Sequence, residues 1–158
     1  SKTRIYSRDI NEHFIKLFTA KIIKEVKFKK MQKKKLLLIG ITFKGKPDTN
    51  DIRNSTALSI IKKIKTKFPQ IKLYVYDKFV SDNEIKRLKC IPIKIIESSF
   101  FKFNIVIIHG NNNYILNLNL SKLSKLMKKG SVIFDIWNNF NYKKNKISNK
   151  VSYKGIGI

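Results

Sequence analysis

Residues 36–77 read LLLIGITFKGKPDTNDIRNSTALSIIKKIKTKFPQIKLYVYD, and this stretch decides the fold. It opens on four apolar residues in succession, Leu36, Leu37, Leu38 and Ile39, inside a strand expected over residues 35–41. A strand exposed on one face would alternate apolar with polar. A short unbroken apolar run fits a strand covered on both faces. Gly40 ends the run, and residues 42–54 hold Gly45, Pro47, Asp48, Asn50 and Asp51, which makes them a loop. Between Ser55 and Phe68 a helix is expected, with Ala57, Leu58, Ile61, Ile64 and Phe68 on one side. Residues 71–76 form a second strand that closes on Asp77.

The flanking chain continues the alternation. Upstream, Ile10, Phe14, Leu17, Phe18, Ile22 and Val26 recur at spacings of three and four, so residues Ser7 to Lys27 read as a helix. Ser7 stands at its N-cap position and Asp9 in its first turn. A lysine-rich connector over 27–35 follows. Downstream, a short helix is expected over 81–89 and a short strand over 91–96, placed at a sheet edge by Pro92. Residues 103–109 read as a buried strand, 120–127 as a helix stopped by Gly130, 131–135 as a strand, 142–149 as a polar loop and 151–156 as a last strand. Apolar strands alternating with helices give an α/β fold: a parallel sheet of about five to six strands with helices on both faces, preceded by a long helix. Ligands in such sheets bind at the C-terminal strand ends, where strand order reverses. The loops after Ile41, Asp77, His109 and Asp135 are therefore the candidate binding loops.

Composition narrows the partners. The chain has 158 residues, one domain's worth, and 42% of them are hydrophobic, enough for a core. Thirty-five Lys and Arg against 10 Asp and Glu give a formal charge of +25. Such a balance favours anionic partners. The charge is spread along a chain dominated by Lys, Ile and Asn, without a basic arm or stripe, so nucleic acid is the less favoured of them. The single cysteine, Cys90, allows no internal disulfide, and it reads as a small buried apolar side chain. Two isolated histidines, His13 and His109, do not make a metal cluster, and structural or solvated roles are expected of both. No run of 18 apolar residues occurs, so a membrane span is not expected and a cytoplasmic location is.

The loop after the first strand carries the chemistry. Lys44, Lys46 and Arg53 put positive charge at a strand's C-terminal end, and the helix beginning near Ser55 aims its N-terminus at the same space. Free amides and the helix dipole favour an anion there. Arg53 offers a planar fork for phosphate oxygens, Lys44 a point charge. On residues alone the loop is either a phosphate site or a surface loop with a helix start. It is not the usual dinucleotide fingerprint, because no GxGxxG occurs.

The same residues carry a resemblance. Ile39-Gly40-Ile41-Thr42-Phe43-Lys44, followed by Asn50-Asp51-Ile52-Arg53-Asn54-Ser55, resembles the G-[LIV]-[TA]-F-K … D-[DN]-[IVL]-R-x-[ST] signature. That signature opens the C-terminal domain of the UDP-glucose/GDP-mannose dehydrogenase family. Val75-Tyr76-Asp77, Val106-Ile107-Ile108-His109-Gly110, Val132-Ile133-Phe134-Asp135 and Lys154-Gly155-Ile156-Gly157 resemble its later strand ends in order, and Arg8-Asp9-Ile10-Asn11 resembles the R-x-I-N of its linking helix. The resemblance implies a Rossmann-like domain over residues 35–158 that binds a UDP-sugar, behind a linking and dimerisation helix over 1–30. It implies an NAD-dependent enzyme that oxidises the C6 hydroxyl of a nucleotide sugar to a carboxylate, for polysaccharide biosynthesis.

Carried over by position, Phe43 and Lys44 meet the sugar-nucleotide and Arg53 reaches the pyrophosphate of NAD. Many family members place Gly-Arg-Asn after the V-I-F-D strand. Here Ile136-Trp137-Asn138 follows Asp135, so Trp137 could stack on a ring and Asn138 bond to it, or Trp137 could belong to the core. Asn111 to Asn113 either line the pocket or form a turn. The family's G-G-x-C-x-x-K-D motif, which holds its nucleophilic cysteine, does not occur in these residues, so the expected partners include an N-terminal NAD domain. The apolar face of the Ser7–Lys27 helix implies a homodimer. The alternative to this reading is a free-standing nucleotide- or nucleic-acid-binding module.

Overall fold

The structure, a computed structural model, describes residues 2–28, 35–94 and 96–155. A long helix α1 (Lys2–Phe28) precedes β1 (Lys35–Ile39), α2 (Thr56–Lys67), β2 (Lys72–Tyr76), α3 (Asp82–Arg87) and β3 (Ile91–Pro92). Then come β4 (Ile105–Ile108), α4 (Asn113–Leu116), α5 (Leu120–Leu126), β5 (Ser131–Asp135) and β6 (Val151–Gly155). The six strands pair in the order β3-β2-β1-β4-β5-β6, all parallel. The order reverses between β1 and β4, where Leu36 to Ile39 run beside Ile105 to Ile108. The Rossmann-like expectation is met, and the switch point lies at the ends of these two strands.

The apolar run of β1 is buried as expected, and its residues part to two sides. Leu36 and Leu38 join one core with α1, α2 and α3, while Leu37 and Ile39 join a second with α4 and α5. Phe18 of α1 meets Phe134 of β5 edge-on, ring centroids 5.6 Å apart, which seats the long helix on the first core. Ser55 caps α2, its Oγ accepting from the Ala57 amide at 3.2 Å.

Several local expectations are corrected. Helix α1 begins at Lys2, so Ser7 lies inside it and does not cap it; residues 2–6 hold no proline or glycine to stop propagation. Its buried stripe is Ile15, Phe18, Ile22, Ile23 and Val26, whereas Phe14 and Leu17 stay 40% and 52% exposed. The strand expected over 91–96 shrinks to Ile91–Pro92, which sits at the sheet edge as expected. The Asn-rich turn after β4 contains the single-turn helix α4, and residues 141–146 form a 3-10 helix where a polar loop was expected. Ile156 and Gly157, expected to extend the last strand and closing motif, lie outside the described residues. No helix of the described residues is long and apolar enough to cross a membrane.

Two residues hold the switch point together. Gly40 follows β1 at φ +78°, and a Cβ there would stand 2.8 Å from the Gly110 Cα and 2.9 Å from its amide. His109, buried at the end of β4, bridges the other way. Its Nδ1 lies 2.9 Å from the Gly40 carbonyl and its Nε2 2.7 Å from the Thr56 hydroxyl. A carbonyl only accepts, so Nδ1 carries the proton and Nε2 accepts from Thr56. Burial pushes the imidazole down to about 4, against the opposing pull of the Gly40 carbonyl.

Gly40→Ala combines the left-handed penalty with a backbone clash and should lower unfolding free energy by about 2 kcal/mol or more, measured by urea denaturation. For His109 the folded state refuses a proton that the unfolded chain takes up below its ordinary value of 6.5. Its contribution is therefore intact above 6.5 and is lost as pH falls toward 4, by roughly 3 kcal/mol at most. Urea midpoints should fall across that window, and His109→Gln should flatten the fall.

Candidate functional site

At the C-terminal end of the sheet, α1, the start of α2 and the loops after β1 and β5 enclose a cleft of ≈ 890 Å³. Asn11, Glu12, Ile15 and Lys16 of α1 form one wall; Asn54, Ser55, Thr56, Leu58 and Ser59 form another, with Phe43 and Trp137 completing it. Phe43 is 53% and Trp137 38% exposed, so neither ring is absorbed by the core. Trp137 is thus not part of the core; it is tilted against His109 with centroids 6.4 Å apart.

The loop after β1 folds back on itself. The Phe43 amide donates to the Asp51 carbonyl at 2.7 Å, and Thr42 Oγ1 donates to the Lys44 carbonyl at 3.2 Å. Lys44 is exposed and stands outside the lining of the cleft, next to Phe43. Gly45 lies flat on the turn after β4, where a Cβ would stand 2.0 Å from Asn111 Oδ1 and 2.8 Å from the Asn112 amide. Asn112, buried, donates from Nδ2 to the Gly45 carbonyl at 3.3 Å and to Asp48 Oδ1 at 2.9 Å. Asn139, from the loop after β5, donates to the Gly110 carbonyl at 3.3 Å. The turn after β4 therefore ties the loop of Phe43 to the loop of Trp137.

Arg53 does not project as a free fork. Its Nε and one terminal nitrogen each lie 3.0 Å from the Asp51 carboxylate, and its amide donates to the same group at 2.9 Å. The guanidinium holds the Asp51 carboxyl below its usual range, and Asp51 in turn raises Arg53. The pair is solvent-exposed, Arg53 is outside the lining of the cleft, and its second terminal nitrogen is left for another acceptor.

Two carboxylates at strand ends accept from backbone amides. Asp77, after β2, accepts from the Ile41 amide at 2.8 Å, Phe79 at 2.9 Å and Val80 at 3.2 Å. In dinucleotide sites the acid at this position meets a ribose hydroxyl; here it faces inward, in keeping with the absent GxGxxG. Asp135, the last residue of β5, accepts through Oδ2 from the Tyr153 hydroxyl at 2.5 Å and the Phe140 amide at 2.8 Å, and its Oδ1 has no hydrogen-bond partner among the described residues. Burial raises its carboxyl, while Tyr153 and the amides of Phe140, Asn139 and Trp137 pull it back. This pair sets the turn of Trp137 and Asn138; Asn138 adopts φ +57°, and its Oδ1 lies 3.4 Å from the Tyr153 hydroxyl.

Cys90 is buried, with its thiol pushed up to about 11 by burial, as its sequence context suggested. His13 is exposed on α1. Among the described residues no cluster of His, Cys, Asp and Glu could hold a metal ion. His109, Asn112, Asp77 and the Asp135–Tyr153 pair were not singled out as site residues from sequence. The turn motif after β4 and the aspartates closing V-Y-D and V-I-F-D were their only local signals.

Comparison with known proteins bears on this arrangement. Residues 37–142 match the UDP-glucose/GDP-mannose dehydrogenase family, UDP binding domain. No curated protein sequence matches. Among solved structures, the chain is similar to UDP-D-ManNAc dehydrogenase from Pyrococcus horikoshii, with a TM-score of 0.65 at 18% identity over 94% of this chain and 32% of that one. It is similar to a UDP-glucose dehydrogenase from Pyrobaculum islandicum, with a TM-score of 0.67 at 17% identity over 94% and 30%. A phosphoglycerate oxidoreductase from Rhizobium etli follows at TM-score 0.57 and 10% identity, over 81% and 34%. These likenesses show a shared fold, and the chain spans about a third of the length of each of those proteins. The family match covers more than half of the chain, and the chain therefore belongs to the UDP-glucose/GDP-mannose dehydrogenase family, in the region of its UDP-binding domain.

Proposed function

We propose that this domain holds the UDP-sugar of an NAD-dependent UDP-sugar 6-dehydrogenase. The observation that carries the reading is the joining of Phe43 and Trp137, 94 positions apart in sequence, on one cleft beside the start of α2. Two exposed rings offer stacking surface to a base or a sugar, Asn138 stands beside Trp137, and Lys44 and Lys46 supply charge for a diphosphate. UDP is the proposed nucleotide. Arg53 fits the role of meeting the NAD pyrophosphate: it is exposed, pre-oriented by Asp51 and has one terminal nitrogen outside that pair. NAD would supply the hydride acceptor for the two successive oxidations from hydroxyl to carboxylate. The nucleophilic cysteine and most of the NAD site belong, in this reading, to an N-terminal domain. The 158-residue chain then binds without turning over.

Calorimetric titration of the chain with UDP should show weak binding that UDP-sugars compete. Lys44→Ala should weaken it by about tenfold, the scale of one charge-assisted hydrogen bond, and Trp137→Ala by about fivefold. Raising salt should produce a shallow loss. A steep one, with binding transferred to oligonucleotides, would instead favour the nucleic-acid module suggested by the charge of +25. NADH formation by the chain alone would overturn the division of labour.

Helix α1 is the proposed dimer element, on the strength of its exposed Phe14 and Leu17. Light scattering after gel filtration should give twice the mass of one chain, and Leu17→Glu should return it to the monomer.

A further inference from the structure

The Phe43–Lys44 loop carries its charge on an exposed lysine, yet the backbone on both sides of that lysine is held. Upstream, the Phe43 amide is bonded to the Asp51 carbonyl at 2.7 Å. Downstream, the Gly45 carbonyl accepts from Asn112 Nδ2 at 3.3 Å, and the same nitrogen reaches Asp48 Oδ1 at 2.9 Å. Asn112 is 1% exposed, and among the described residues its Oδ1 has no hydrogen-bond partner. Both groups facing Nδ2 are acceptors, so the site demands a donor, and the amide cannot turn over without setting oxygen against oxygen. What the amide secures lies 64 and 67 residues away, in the loop of Lys44.

We infer that Asn112 is a positioning residue for the sugar-nucleotide: it fixes the backbone that carries Lys44 and never needs to touch the ligand. This rests on the proposal that the Phe43–Lys44 loop binds a UDP-sugar. A free lysine loses rotamer freedom when ordered, and a mobile backbone would add its own loss. Holding residues 43 and 45 before binding removes the second cost, which is how pre-organisation converts into affinity. The flat contact of Gly45 on the Asn111–Asn112 backbone is part of the same device, since any side chain there would lift the loop off the turn.

The test uses the 158-residue chain, UDP as probe, and steady-state 15N heteronuclear NOEs at Lys44, Gly45 and Lys46. Asn112→Asp sets a second carboxylate against Asp48; it should weaken UDP at least tenfold and lower the three NOEs. Combining it with Asp48→Asn reverses donor and acceptor across the pair and should recover at least half of the loss on a logarithmic scale. Asp48→Ala, at an exposed position with little risk to folding, should cost about threefold and decides the matter if Asn112→Asp does not fold. Folded variants with UDP affinity and NOEs within twofold of the parent would overturn the inference, as would lost affinity with unchanged NOEs. If the parent chain fails to bind UDP, the proposed function falls on its own. The NOEs of Asn112→Asp and its rescue then still judge whether this side chain orders the loop.

Discussion

Two parallel strands that carry their neighbours off in opposite directions must part at their ends, and the crevice so formed is only as definite as the contact that closes its floor. In this domain that contact is backbone on backbone. Gly40 leaves β1 at φ +78° and comes against the Cα and amide of Gly110 beyond β4, so closely that a single methyl group would not fit. His109, next to Gly110, then uses both ring nitrogens to hold Gly40 and Thr56. A neutral imidazole suits this task because it donates to a carbonyl and accepts from a hydroxyl at once, and burial keeps it neutral. Every group proposed to meet the ligand is tied, directly or through one loop, to this floor.

Much of the frame was legible because its signals are local. The run from Leu36 to Ile39 announced a strand buried on both faces, and the two cores take its residues alternately. The helix expected from Ser55 is α2, with Ser55 as its cap, and Pro92 announced the sheet edge. Where sequence misled, more than one local solution satisfied the pattern. Helix α1 has more apolar residues than one stripe needs, so periodicity alone gave Phe14 and Leu17 the same standing as Ile22 and Val26, and only the sheet beneath chose between them. Asn111, Asn112 and Asn113 are turn formers, yet three of the four residues of α4 follow them in a segment seated by Ile115 in the second core.

The site divides along the same line. Phe43, Lys44, Arg53, Trp137 and Asn138 could be named as candidates because they belong to motifs that follow strands. The residues that place them could not. Asn112 bonds 64 and 67 positions away, Asp77 holds an amide 36 positions away, and Tyr153 reaches Asp135 from the neighbouring strand. These are side chains satisfying distant loops, and no spacing rule in one sequence encodes which loops will be neighbours. Arg53 has a partner that the sequence reading did not name: its guanidinium is engaged by Asp51 two residues before it. A D-x-R spacing in a turn brings the two side chains together, and that could have been anticipated.

The proposed function divides binding and oxidation between domains, and the chemistry available in the cleft is in keeping with that division. Turning a hydroxymethyl group into a carboxylate removes two hydrides, and no protein side chain accepts a hydride, so a cofactor must be brought to the substrate. The described groups that could move protons are mostly committed elsewhere. Both nitrogens of His109 are engaged, Asp77 is capped by amides, Asp135 accepts through Oδ2 from Tyr153 and Phe140, and the Cys90 thiol is buried in the first core. Glu12, which lines the cleft, also has a partner. Apart from Glu12 and Lys16, the cleft presents two rings, amides and hydroxyls. Such a wall is suited to gripping the unreacting end of a substrate, and binding energy gathered there can be used to hold the reacting carbon in place against a second wall.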